Sequence, residues 1–150
     1  MAHAASIVAT SATPTAVIRE MTTWERFPTL WGELFDEVWE YVRGAEAQAG
    51  RNVMLYLDDV PTVKIGVELE GTLTAPSGRI VASALPEGRA ATTVAVGAPS
   101  REGLAAAHAA VVEWSRANGH ELTGTRWEVY DHWRDDPDRF ETAVYWLLAS

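Results

Sequence analysis

The 150-residue chain contains no cysteine. Disulfides and thiolate chemistry are excluded, and the absence fits a reducing compartment, so a cytoplasmic protein is expected. Basic residues are scarce: 12 Lys and Arg stand against 21 Asp and Glu, a formal charge of -9. A surface of that sign repels phosphates, so no direct nucleic-acid binding is expected, and neither a basic run nor a helix-turn-helix pattern is present. No apolar run approaches the ~20 residues of a membrane span. The start Met1-Ala2-His3-Ala4-Ala5 lacks the basic and apolar regions of a signal peptide. No membrane role is expected. The four histidines, His3, His108, His120 and His132, lie far apart and lack metal-ligand spacing, so no metal is expected. His108 sits in an Ala-rich stretch and reads as packed or exposed rather than ligating. Gly97-Ala98-Pro99-Ser100 opens a helix but lacks the glycine pattern and lysine of a phosphate loop. No Gly-x-Ser-x-Gly elbow supports a serine nucleophile, and no cofactor is expected.

Tryptophan is plentiful, at seven copies, and hydrophobic residues make up 47% of the chain. That length and composition suit one domain, residues 1–150, with a real core. Ser6 to Thr10 and Thr15 to Met21 read as one interrupted strand or a strand pair, edge-like at Pro14. Trp24 to Pro28 reads as a loop. Thr29 is the expected N-cap of a helix over 30–43, ended by Gly44. Its apolar residues Leu30, Leu34, Val38, Tyr41 and Val42 form one stripe, and Trp31, Phe35 and Trp39 a second. Strands are expected over 51–57 and 63–69, joined by the turn Asp58-Asp59-Val60-Pro61, with a polar linker over 70–78.

The pattern then starts again. Ile80-Val81-Ala82-Ser83 echoes Ile7-Val8-Ala9-Thr10, a strand covers 90–96, and a helix over 101–117 opens at Ser100 and closes before Gly119. Val111-Val112-Glu113-Trp114 echoes Val38-Trp39-Glu40-Tyr41. Tyr130 echoes Tyr56, Asp135-Asp136-Pro137 echoes Asp58-Asp59-Val60-Pro61, and 143–148 closes the chain as a strand. The echoes keep one order at an offset of about 73 to 77 residues. The chain is therefore read as α+β: two strand-helix-strand-strand repeats, about 6–70 and 79–148. Side by side, the halves give a curved antiparallel sheet with both helices on one face and a ligand cleft along a pseudo-two-fold axis.

The residues that carry chemistry centre on Thr125-Arg126-Trp127-Glu128-Val129-Tyr130, a strand by composition. Alternation puts Glu128 and Tyr130 on one face and Trp127 and Val129 on the other. Two readings are open: an edge strand with Glu128 in water, or a pocket wall in which aromatic surfaces hold a ligand and one carboxylate orients it. Candidate ligand-binding residues are Trp31, Trp39, Tyr56, Glu68, Trp127, Glu128, Tyr130 and Tyr145. Aromatic faces favour flat or cationic ligands. Core packing is the competing reading for each Trp, and solvent exposure for Glu68.

Arg126-Trp127-Glu128-Val129-Tyr130 followed by Asp135-Asp136-Pro137, the closing strand Thr142-Ala143-Val144-Tyr145-Trp146-Leu147-Leu148, and the link Gly119-His120-Glu121-Leu122-Thr123-Gly124 resemble the GyrI-like (DNA-gyrase-inhibitor-like) small-molecule-binding family. Those domains serve as effector modules of AraC-type and MerR-type multidrug regulators and also occur alone. The resemblance covers nearly the whole chain. It implies a two-repeat fold whose cleft takes lipophilic, often cationic compounds against aromatic walls and a buried glutamate, and it puts Glu128 at one glutamate position. Relatives tend to carry Thr-Glu where this chain has Thr142-Ala143, so a second acid is missing. The resemblance places the face shared by Ala143 and Tyr145 toward the cleft and makes Ala143 a ligand-site position.

The expected function is a standalone binding protein for a lipophilic, cationic or drug-like small molecule. Two other classes stand beside it. Some standalone relatives are hydrolases of reactive lipophilic natural products, and here Glu128 and Tyr130 would be the catalytic pair, the carboxylate activating water and the phenol assisting. A protein-binding inhibitor that uses its acidic surface is the third. The oligomeric state is left open by the sequence.

Overall fold

The computed structural model describes residues 4–45, 48–71, 78–131 and 136–149. His3, His132, Asp135 and most of the 70–78 linker lie outside the described residues. In chain order the elements are β1 (Ser6–Thr10), β2 (Pro14–Met21), α1 (Phe27–Gly44), β3 (Ala49–Tyr56), β4 (Thr62–Leu69), β5 (Ile80–Ala84), β6 (Gly88–Val96), α2 (Arg101–Ala117), β7 (Leu122–Tyr130), a 3₁₀ turn (Pro137–Arg139) and β8 (Glu141–Leu148).

The strands form one antiparallel sheet in the order β1-β6-β8-β7-β3-β4-β2-β5. The order reads symmetrically about the β7–β3 seam. One repeat supplies β2, β4 and β3, and the other β6, β8 and β7. Each opening strand crosses over: β1 pairs with β6 of the second repeat, and β5 with β2 of the first. The α+β reading and its two repeats match this architecture.

Two local expectations are corrected. Pro14 does not mark an edge: β2 lies between β4 and β5, and Pro14 is its first residue, where a missing N–H removes no interior ladder bond. Thr29 is not the cap of α1. The helix begins at Phe27 with Arg26 as N-cap and no side-chain cap bond. Pro28 occupies the first turn, where its fixed φ suits the helix and its N–H would have no partner. Thr29 is already helical, and its hydroxyl donates to the Arg26 carbonyl at 2.9 Å. In α2 the expected cap is found: Ser100 Oγ accepts from the Gly103 N–H at 3.0 Å.

Cross-strand neighbours share a sheet face. One row across the sheet reads Ile18, Ile65, Met54, Glu128, Val144 and Thr93. Both helices lie on this face. The α1 residues Leu34, Phe35, Val38 and Val42 pack on Ile18, Met54, Ile65 and Val67, and the α2 residues Ala107 and Val111 pack on Ala91 and Val144. The back of the sheet has its own core of Val53, Leu55, Leu85, Ala90, Trp127 and Val129. The two crossover segments tie across that back: the Leu85 N–H donates to Thr13 O at 2.9 Å, and Thr10 Oγ1 to Pro86 O at 2.8 Å. Among the described residues, no helix is long and apolar enough to cross a membrane and no group of side chains could hold a metal ion.

Candidate functional site

The seam between β3 and β7 sets a small grid on the helix face. Register places Tyr56, Arg126 and Trp146 in one row, Met54, Glu128 and Val144 in the next, and Tyr130 with Asn52 and Thr142 in the third. Glu128 is the centre. It is not an edge-strand carboxylate in water: β7 is internal, and the residue is 2% exposed.

A buried carboxylate needs donors. The Tyr130 hydroxyl donates to Glu128 Oε1 in a short contact, and the Tyr56 hydroxyl lies 3.4 Å from the same oxygen. His108 comes down from α2 and puts Nε2 2.7 Å from Oε2. The Trp146 indole N–H, which is a donor only, points at His108 Nδ1 at 2.9 Å. That bond fixes the tautomer: Nδ1 accepts, so the proton sits on Nε2 and is given to Glu128. Among the described residues, every donor to the carboxylate is then a neutral group. Burial, followed by the Glu128 charge, pushes both the Tyr56 and Tyr130 phenols well above their usual pKa. Both hydroxyls keep their protons and remain donors.

Arg126 shares the face with Glu128 and is 8% exposed. Its guanidinium carbon lies 5.1 Å from the Trp146 ring, 5.5 Å from Tyr56 and 5.9 Å from Trp24. Its N–H groups donate to Gly124 O at 3.0 Å and to Asp59 Oδ1 at 2.8 Å. Trp24, from the loop before α1, stacks at a tilt on Tyr56 and donates its own N–H to Asp59 O at 2.9 Å. The cluster is an acid held by neutral donors beside an aromatic box that contains a cation. Its interior is closed, with Trp24 on the outside.

The structure divides the residues expected from sequence between the two faces. Tyr56, Glu128 and Tyr130 meet at the seam. Trp39 flanks them, bonding Asn52 Oδ1 at 2.7 Å and packing with Tyr130 in the same core. Trp31 is 44% exposed and makes an edge contact with Phe35, outside the cluster. Trp127 and Tyr145 stack on each other at 5.1 Å on the back face, and Ala143 opposes Val129 there. Glu68 is also on that back face, paired with Arg51 at 2.8 Å rather than free in water. A depression of about 330 Å³ opens beside Arg51, Glu68, Trp127 and Tyr145, and another of about 810 Å³ lies near Glu20, Arg26 and Val60. Neither reaches the Glu128 cluster.

His108, Arg126, Trp146 and Trp24 are the site residues that sequence reasoning missed. His108 is neither merely packed nor exposed; it is half-buried and bonded at both ring nitrogens. Arg126 and Trp146 were within the quoted motifs, and strand alternation from Glu128 gives Arg126 its face. The pairing of Trp146 with Arg126 needed the register.

No protein-family profile matches the sequence, and no curated protein matches it. Solved structures do. The chain is similar to the EcmrR C-terminal domain, at 17% identity and TM-score 0.82, covering 100% of this chain and 99% of that one. It is similar to EcmrR in a complex with DNA, at 16% identity and TM-score 0.79, where it spans all of itself but 59% of the longer chain. It is also similar to SAV2435, a structure bound to tetraphenylphosphonium, at 11% identity and TM-score 0.70, covering 100% and 95%. The chain shares the fold of the EcmrR C-terminal domain and of SAV2435.

Proposed function

We propose that the whole chain acts as one binding unit for lipophilic, cationic small molecules, and that the seam at Glu128 is its site. The observation that carries this reading is the buried Glu128 carboxylate, which among the described residues meets neutral donors only and lies beside three aromatic rings that already enclose a guanidinium. Carboxylates in such surroundings attract an organic cation strongly because little solvent screens the pair. Aromatic faces add cation–π attraction and apolar area. The tetraphenylphosphonium in SAV2435, which shares the fold, supports the ligand class. Because Glu128 is closed off, binding requires Trp24 and Arg126 to move aside.

Hydrolysis by Glu128 and Tyr130 is the less favoured reading. A general base needs a free lone pair within reach of water. Glu128 is 2% exposed and each of its oxygens already accepts a hydrogen bond, so water has little access to the lone pairs that are left, and His108 has no free ring nitrogen to take over the role.

Titration with tetraphenylphosphonium and with the isosteric anion tetraphenylborate tests the proposal, read by tryptophan fluorescence and calorimetry. The cation should bind and quench, the borate should not, and Glu128→Gln should remove the difference. Equal affinity for the two ions, or no loss in Glu128→Gln, overturns it.

A further inference from the structure

We propose that Arg126 is a built-in occupant of the cation cage, and that a ligand cation binds by taking its place; the inference rests on the seam being the binding site. Register forces the arrangement. Tyr56 and Trp146 are the direct cross-strand neighbours of Arg126, one on each side, so a long side chain at this position lies between two aromatic rings. Trp24 covers it from the solvent side. One residue, Asp59, secures both parts: its carboxylate holds the guanidinium at 2.8 Å and its carbonyl holds the Trp24 indole at 2.9 Å. The Asp59 carboxylate is 90% exposed, so water screens this hold and the guanidinium can leave at modest cost.

The shape of the vacated space names the ligand class. When Arg126 withdraws, it leaves two acceptors, Gly124 O and Asp59 Oδ1, beside the flat faces of Trp146 and Tyr56. These acceptors match a planar cation with N–H donors at its rim, which is the chemistry of guanidinium and amidinium groups. A fully substituted onium ion gains the rings and the field of Glu128 but leaves both acceptors to water. The site should therefore rank flat N–H cations above onium ions of similar size once Arg126 is removed. With Arg126 in place, its charge and its bulk weaken every cation.

Benzamidinium and tetraphenylphosphonium are titrated against the unaltered protein, Arg126→Ala, Arg126→Gln and Arg126→Lys, with folding checked by circular dichroism. Benzamidinium should bind Arg126→Ala roughly tenfold or more tighter than the unaltered protein, with Arg126→Gln intermediate. Arg126→Lys, which keeps the charge, should gain little. Methylguanidinium should raise the melting temperature of Arg126→Ala and leave that of the unaltered protein unchanged. If Arg126→Ala does not fold, Arg126→Gln and Arg126→Lys carry the same comparison. Unchanged benzamidinium affinity in folded Arg126→Ala, or in its absence folded Arg126→Gln, overturns the built-in occupant, as does an equal gain in Arg126→Lys. In either case the binding-site reading stands if the unaltered protein still takes up tetraphenylphosphonium in a Glu128-dependent way. Failure of all four proteins to bind either cation overturns both readings together.

Discussion

Tyr56 and Tyr130 reach the same oxygen of Glu128 from two neighbouring strands. They hold equivalent places in the two repeats, two residues beyond Met54 and Glu128 respectively. Burial first, and the carboxylate second, raise both phenol pKa values. The sign follows from linkage. A raised folded pKa means that the folded state keeps its protons where the unfolded chain has lost them. The contribution is whole below the unfolded value of about 10 and declines as pH climbs above it toward the raised folded values. Unfolding free energies from denaturant titrations at pH 9 to 12 should fall by about 1.4 kcal/mol per pH unit for each phenol above pH ~10. Tyr56→Phe and Tyr130→Phe should each flatten the slope. Tyrosinate absorbance from these two residues should rise only with unfolding; ionisation in the folded protein would contradict the account.

Ala143 is half-buried on the back face, opposite Val129 on one side and the exposed Val94 on the other. A carboxylate there is separated from Glu128 by the sheet and can turn toward water. Ala143→Glu should therefore leave the ratio of cation to neutral-ligand affinity unchanged, with a stability loss of about 1 kcal/mol or less. A selective gain in cation affinity would mean that ligands use the back face, beside Trp127 and Tyr145.

Gly66 on β4 opposes Val17 on β2, and a Cβ built on it would lie 1.8 Å from the Ala16 carbonyl oxygen. Backbone cannot swing aside as a side chain can. Gly66→Ala should cost roughly 3 kcal/mol or more by forcing apart the β2–β4 pair. Urea unfolding measures it, and a loss under about 1 kcal/mol would show that the two strands separate easily.

Much of this fold was legible because the sequence repeats itself. An apolar stripe gave α1, a cap and a closing glycine gave α2, alternation gave β4, composition gave β7, and the echoes gave the two repeats. What local pattern does not carry is partner choice. Nothing around Pro14 says that β2 will be flanked on both sides, because β5, which covers it, lies far along the chain. The site was half legible for the same reason. Glu128 and the tyrosines stand out within one strand, but His108 approaches from a helix and Trp146 and Trp24 from distant segments. A usable signal existed. The helices start at Phe27 and Arg101, and the same offset relates Leu34 to His108 and Met54 to Glu128. Two apolar residues in one repeat became two polar residues in the other. Such paired departures from an internal repeat mark the place where the copies took different roles.

That divergence yields a test separating stability from binding. In the first repeat, Leu34 is fully buried and Met54 sits in the same core, with its sulfur 2.9 Å from the Tyr56 hydroxyl. His108→Leu alone removes a donor from buried Glu128 and the acceptor from Trp146. Glu128→Met alone strips His108, Tyr130 and Tyr56 of their shared acceptor. Each single change leaves buried polar groups unpaired and should cost about 2–4 kcal/mol. The double change puts the first repeat's apolar pair into the second. Tyr130 then meets a methionine as Tyr56 does, and the indole of Trp146, which is half-buried, can turn to water. The double variant should be more stable than the sum of the singles by roughly 1–3 kcal/mol, because both ends of the 2.7 Å contact go together. Its affinity for tetraphenylphosphonium should nonetheless fall to that of Glu128→Gln, since the Glu128 carboxylate is gone from both. Additive losses in urea unfolding would show that His108 and Glu128 are neighbours without coupling. A double variant that still preferred the cation over tetraphenylborate would remove Glu128 from the binding role.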